Sequence, residues 1–75
     1  MRVTIRAHGV LRAEANISCE EIVMPEGATL GDLLDKVGIR RDAPALSVVD
    51  GRVAGVDQAL SEGSEVSVFA RVSGG

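Results

Sequence analysis

The hydrophobic period of this chain is helical over one stretch only. Leu30, Leu33, Leu34 and Val37 follow the i, i+3, i+4, i+7 spacing that lines one side of a helix. On either side of that stretch, apolar residues recur at every second position, the period of a strand with one face on a core. A single helical stripe must therefore find its cover on a sheet. Thr29, with Asp32 three residues on, forms a capping-box-like start for the helix, and Gly38 marks its end. Asp32 and Lys36, four apart on the exposed side, are expected to form a solvated ion pair worth only ~0.2–0.5 kcal/mol.

Before the helix, Val3, Ile5 and Ala7 alternate with Thr4, Arg6 and His8, which predicts a first strand. Gly9 to Asn16 carries the reversal. Ile17 to Met24 predicts a second strand, stopped by Pro25-Glu26-Gly27, with Ile22 and Met24 taken as its core face. After the helix, Arg40-Arg41-Asp42-Ala43-Pro44 is a polar link. Ala45 to Val49 and Arg52 to Ala54 flank Asp50-Gly51, a two-residue signal for a tight hairpin because both residue types tolerate positive φ. Gly55 to Gly63 is turn-rich, with Leu60 as its apolar anchor. Glu65 to Val72 then predicts a last strand with Val66, Val68, Ala70 and Val72 inward.

The order strand, strand, helix, strand, strand, strand implies an α+β fold, one helix packed across one face of a mixed sheet. Residues 1–72 form the expected domain, and 73–75 a flexible tail with nothing to bury. At 75 residues there is room for one core. A 45% hydrophobic content supplies it, almost wholly with aliphatics, since Phe69 is the single aromatic. One aromatic and a net charge of -3 leave neither a stacking platform nor a basic face for nucleic acid. One cysteine, Cys19, forms no internal disulfide and points to the cytoplasm. The alternating N-terminus does not read as a signal peptide, and no apolar run approaches the ~18 residues of a membrane span.

From Glu65 to Gly75, the run Glu-Val-Ser-Val-Phe-Ala-Arg-Val-Ser-Gly-Gly resembles the closing strand and diglycine tail of the ubiquitin-like β-grasp sulfur carriers. These are the molybdopterin synthase small subunit and the thiamine-pathway sulfur carrier. The resemblance extends to Gly9-Val10-Leu11-Arg12, to Pro25-Glu26-Gly27-Ala28-Thr29 before the helix, and to Leu60-Ser61-Glu62-Gly63-Ser64-Glu65-Val66. One departure is that molybdopterin-type carriers place two prolines after the phenylalanine, where this chain has Ala70 and Arg71.

The resemblance implies a carrier acting as a protein substrate, not an enzyme, with a synthase small subunit as one form of that role. A terminal carboxylate, of reference pKa ~3.3–3.7, is ionised at neutral pH and a poor electrophile. An ATP-using adenylating enzyme would activate Gly75, and a persulfide sulfur donor would convert it to a thiocarboxylate. A larger synthase subunit or a thiazole synthase would take the sulfur, with the pterin route favoured by length and by Phe69. No bound cofactor is expected. Gly74 and Gly75 are the reactive positions, glycine allowing close approach of another backbone. Phe69, Arg71, Val72 and Ser73 are the expected partner contacts. Phe69 either faces away from the inward valines, as a docking aromatic, or is turned inward by a bulge.

Competing readings are a modifier joined to lysines through Gly75, or a plain β-grasp interaction module. No Ser-His-Asp or Cys-His set, P-loop or metal-ligand cluster points to an enzyme. Cys19 reads as a small apolar filler in preference to a sulfur-relay thiol. His8 reads as a surface residue, and Arg40, Arg41 and Arg52 as solvating charges or contacts to an acidic partner.

Overall fold

The computed structural model describes residues 1–8 and 18–70. Its elements are β1 (Arg2–His8), β2 (Cys19–Val23), α1 (Leu30–Val37), β3 (Pro44–Val49), β4 (Arg52–Val53) and β5 (Glu65–Ala70). The strands form one five-stranded sheet in the order β2-β1-β5-β3-β4. β5 lies parallel to β1, and the other neighbours are antiparallel. This is the mixed sheet with one helix that the change of period implies.

The start of α1 satisfies its own free amides. Thr29 Oγ1 accepts from the Asp32 amide at 3.3 Å while Asp32 Oδ2 accepts from the Thr29 amide at 2.9 Å. The amides of Leu30 and Gly31 donate to the carbonyls of Gln58 and Val56 at 2.8 and 2.9 Å. The loop before β5 thus closes the N-terminus of α1, which otherwise leaves such donors unpaired. At the other end, Gly38 takes a left-handed conformation at φ 86°, and the Ile39 amide returns to the Leu34 carbonyl at 2.9 Å. Ile39 is fully buried behind that turn, the apolar contact that accompanies a glycine cap.

Leu30, Leu33 and Leu34 are completely buried against Val3, Ile5, Ala7, Val66 and Val68 of the central strands. Met24 and Leu60 close the core, and Ile22 packs against it, so the second strand has the expected face inward. Asp50 (φ 52°) and Gly51 (φ 84°) both adopt positive φ, the requirement of the tight hairpin joining β3 to β4. The strands differ from expectation mainly at their ends. β2 begins at Cys19, β3 already at Pro44, and β4 is two residues long, although the Ala54 amide still donates to Ser47 O at 2.9 Å. The reversal at 9–16, Ile17 and the expected continuation of β5 through Val72 lie outside the described residues, as do residues 73–75.

Candidate docking face and tail root

β5 occupies the middle of the sheet, held by β1 on one side and β3 on the other. The turn before it sets the register. Gly63, at φ 82°, donates its amide to Arg2 O at 2.7 Å, and Thr4 donates to Ser64 O at 2.9 Å. Glu65 N then donates to Asp50 Oδ1 at 2.8 Å. The segment leading into Arg71-Val72-Ser73-Gly74-Gly75 is therefore fixed through both neighbours as far as Ala70, which pairs with Pro44.

Because Val66 and Val68 point into the core, strand alternation sends Glu65, Ser67 and Phe69 to the opposite face. Residues directly opposite across the ladder share that face. Phe69 stands between His8 and Leu46, and Ser67 between Arg6 and Val48, with Val53 beyond and Cys19 on the far side. The Phe69 and His8 rings stack with centroids 4.5 Å apart and planes 6° from parallel. Phe69 is half-buried, Leu46 is 41% exposed and Val53 74% exposed. An apolar patch thus covers the β5, β3 and β4 half of the open face, at the root of the tail. A bulge does occur nearby, between Pro44 and Leu46 of β3, yet it leaves Phe69 on the open face.

The β1 and β2 half carries charge. Arg2 lies 3.9 Å from Glu21. The Arg6 guanidinium is held above its usual range first by the hydrogen bond it donates toward the Cys19 side chain, with the charge of Glu65 adding to it. Cys19 is exposed, so its reading as a core filler is corrected. The strand register pairs it with Arg6 on the open face, because the inward positions of β2 go to Ile22 and Met24. His8 is a surface residue as expected, and its stacking on Phe69 was not foreseen.

The expectation of an ion pair between Asp32 and Lys36 is also corrected. Asp32 does not pair with Lys36. Arg41 folds back over α1 instead, its Nη2 lying 3.3 Å from Asp32 Oδ1 and 2.9 Å from Asp35 Oδ2. This raises the Arg41 pKa, with the hydrogen bond to Asp35 as the leading cause. Arg41 is thus committed within the chain, and Arg40 lies 3.8 Å from Asp42. The carboxyl of Asp32 is held below its usual range, first by the Thr29 amide and side chain, with Arg41 adding to them.

Among the described residues no group of three or more His, Cys, Asp or Glu side chains is placed to hold a metal ion. No described helix is long and apolar enough to cross a membrane. Of the expected site residues, Phe69 is placed at the tail root. Arg71, Val72, Ser73, Gly74 and Gly75 lie outside the described residues.

A mixed five-stranded sheet with one helix across it, its last strand central and parallel to its first, defines a ubiquitin-like β-grasp protein. The chain belongs to the ThiS family, whose family model matches residues 8–75. Among solved structures it is similar to a protein described as molybdopterin converting factor, subunit 1, from Pyrococcus furiosus. That match has 27% identity and a TM-score of 0.78, and covers 96% of this chain and 99% of the other. It also shares the fold of SAMP1 from Haloferax volcanii, at 22% identity and TM-score 0.81 with 100% of each chain covered. The small archaeal modifier protein 1 from Methanosarcina acetivorans has the same fold at 16% identity and TM-score 0.75, covering 99% of this chain and 96% of that one. No curated protein sequence gives a significant match.

Proposed function

We propose that this protein is a sulfur carrier whose Gly75 carboxylate is adenylated and converted to a thiocarboxylate that donates sulfur in cofactor biosynthesis. The observation that carries the reading is the position of β5. It is locked between β1 and β3 and places Phe69 on an apolar open face, one residue before the strand's end at Ala70. A rigid root lets docking at the face set where the tail can reach. Aromatic anchors are the residue type that most often dominates such contacts.

In this reading an adenylating enzyme joins AMP from ATP to the Gly75 carboxylate. The outer sulfur of a persulfide donor then attacks the acyl carbon and AMP leaves; a thiol cleaves the resulting acyl disulfide, itself becoming a disulfide, and the freed thiocarboxylate gives its sulfur to a larger synthase subunit or a thiazole synthase. The similarity to the Pyrococcus furiosus protein favours the pterin route, and the match to the ThiS family model keeps the thiazole route as its competitor. Arg71, Val72 and Ser73 extend the contact from Phe69 into the partner's channel. The site of action is cytoplasmic.

A second reading is protein modification through the same carboxyl. Ala70 and Arg71 stand where molybdopterin-type carriers have two prolines, a departure that leaves the final acceptor open. Both readings need an activated Gly75.

The test is the intact mass of the chain after incubation with ATP, magnesium, a sulfur source and an adenylating enzyme, beside a variant lacking Gly75. A gain matching one oxygen replaced by sulfur, absent from the variant, is expected. No gain, with an enzyme active on another carrier, refutes the sulfur-carrier reading. Gly75→Ala should fold normally but charge poorly, because its Cβ crowds the carbon under attack.

A further inference from the structure

We propose that Lys36 is a modification site, the acceptor amine through which one copy of the chain is joined to the Gly75 carboxyl of a second copy. The proposal rests on the activation of Gly75 that both readings above share, and it adds an acceptor on the chain itself.

The chain has eight Lys and Arg residues, and Lys36 is its single lysine. Guanidinium groups stay protonated and do not serve as nucleophiles under ordinary conditions. Seven of the eight basic side chains are therefore inert toward an activated carboxyl. The other primary amine, that of Met1, donates to the Met24 carbonyl at 2.7 Å in a part-buried position where β1 begins beside the end of β2. That contact removes it from ready attack. Lys36 alone combines a primary amine with an exposed side chain.

Its surroundings keep it available. Asp32, four residues before it, is the natural ion-pair partner on a helix, and Asp35 is its sequence neighbour. Arg41 engages both, at 3.3 and 2.9 Å, and no ion pair holds Lys36 among the described residues. The residue also lies in the last turn of α1, on the layer opposite the open face that carries Phe69. A chain docked through its sheet still presents Lys36 to solvent. The docking face and the acceptor amine are thus on opposite layers of one small domain.

The step balances without any redox change. An adenylating enzyme and ATP supply the Gly75 acyl adenylate, releasing pyrophosphate. The Lys36 ammonium gives its proton to solvent base, and Nζ attacks the Gly75 carbonyl carbon. A C–N bond forms, the C–O bond to AMP breaks, and AMP leaves. With one acceptor and one donor per copy, the product is a linear chain with a single linkage type.

The experiment incubates the full chain with ATP, magnesium and an adenylating enzyme proven active on another carrier, with no sulfur source. Charging is followed by ATP–pyrophosphate exchange, and conjugates by reducing gels and intact mass. Parent protein is expected to give dimers and longer species, with a protease fragment joining Gly75 to Lys36. Lys36→Arg should charge at the parent rate and form no conjugate alone. Mixed with a variant lacking Gly75, it should give dimers only.

Conjugates of Lys36→Arg at the parent yield would overturn the assignment, as would a monomer that has merely lost one water by closing on itself. Normal charging of the parent without conjugates would also overturn it. A parent that fails to charge sinks the activation reading itself, and this proposal with it.

Discussion

Gly31 and Arg41 provide a quantitative check on how α1 is held. Gly31 is buried in the first turn of the helix, and a Cβ there would come within 2.6 Å of Arg41 Nη1 and 2.7 Å of Cζ. No atom of another residue is nearer. Gly31→Ala therefore gains the ~1 kcal/mol of helix propensity that separates glycine from alanine. In return, it pushes the guanidinium off its carboxylates. The side chains of Arg41, Asp32 and Asp35 are 46%, 49% and 58% exposed, so solvent screening leaves these pairs weak. Gly31→Ala should then gain less than that ~1 kcal/mol. Once Arg41→Ala has removed the obstruction, the same substitution should stabilise by about 1 kcal/mol, or ~4–8 °C in Tm. Urea unfolding of the four proteins of the double-mutant cycle reads both values and the coupling. A loss of more than about 2 kcal/mol from Gly31→Ala in both backgrounds would refute the reasoning. It would mean that packing other than the Arg41 guanidinium excludes a side chain there.

Two further outcomes follow from the face and the cap. Phe69→Ala should lose the His8 stack, about 0.5–1.5 kcal/mol of stability. It should weaken binding to the adenylating enzyme by roughly tenfold or more, as loss of a central aromatic anchor does; calorimetric titration of the folded variant checks this, and unchanged affinity would exclude the face as the docking surface. Asp32 has a folded pKa below its unfolded value, so its contribution is fully present above the unfolded carboxylate pKa and lost as pH falls through the folded one. Asp32→Asn should therefore flatten the decline of Tm with acid, and an unchanged slope would show that the capping carboxylate is not responsible.

Period and punctuation made most of the fold legible. The leucine stripe, Thr29 with Asp32, Gly38 and Asp50-Gly51 each act through backbone geometry within a few residues, so the sequence carries them openly. Ile39 escaped notice because it is a single apolar residue beyond the helix, although an apolar residue just after a capping glycine is a usable signal. Cys19 was misjudged for a different reason. Its type is usually buried, but the register of β2 is set by Ile22 and Met24, and a one-residue difference reverses the face. Arg41 could not be read at all, since its partners depend on how the 39–43 link turns back over α1.

Phe69 shows how far such reasoning carries toward the site. The inward positions of Val66 and Val68 fix its parity, and the central position of β5 fixes its surroundings, with His8 and Leu46 beside it. Without a bulge in β5, a core role would have required the strand to slip by one residue, exposing both valines. Burying one aromatic does not offset that, because the slip would also turn Glu65 and Ser67 into the core, where unpaired polar groups are costly. The core therefore forces its one aromatic outward at the residue where β5 approaches its end. The same valines that hold β5 in the sheet place an apolar contact at the root of the tail, so packing and docking are two consequences of one alternation. A substitution that disturbs Val66 or Val68 should consequently impair partner binding even though neither side chain reaches the open face.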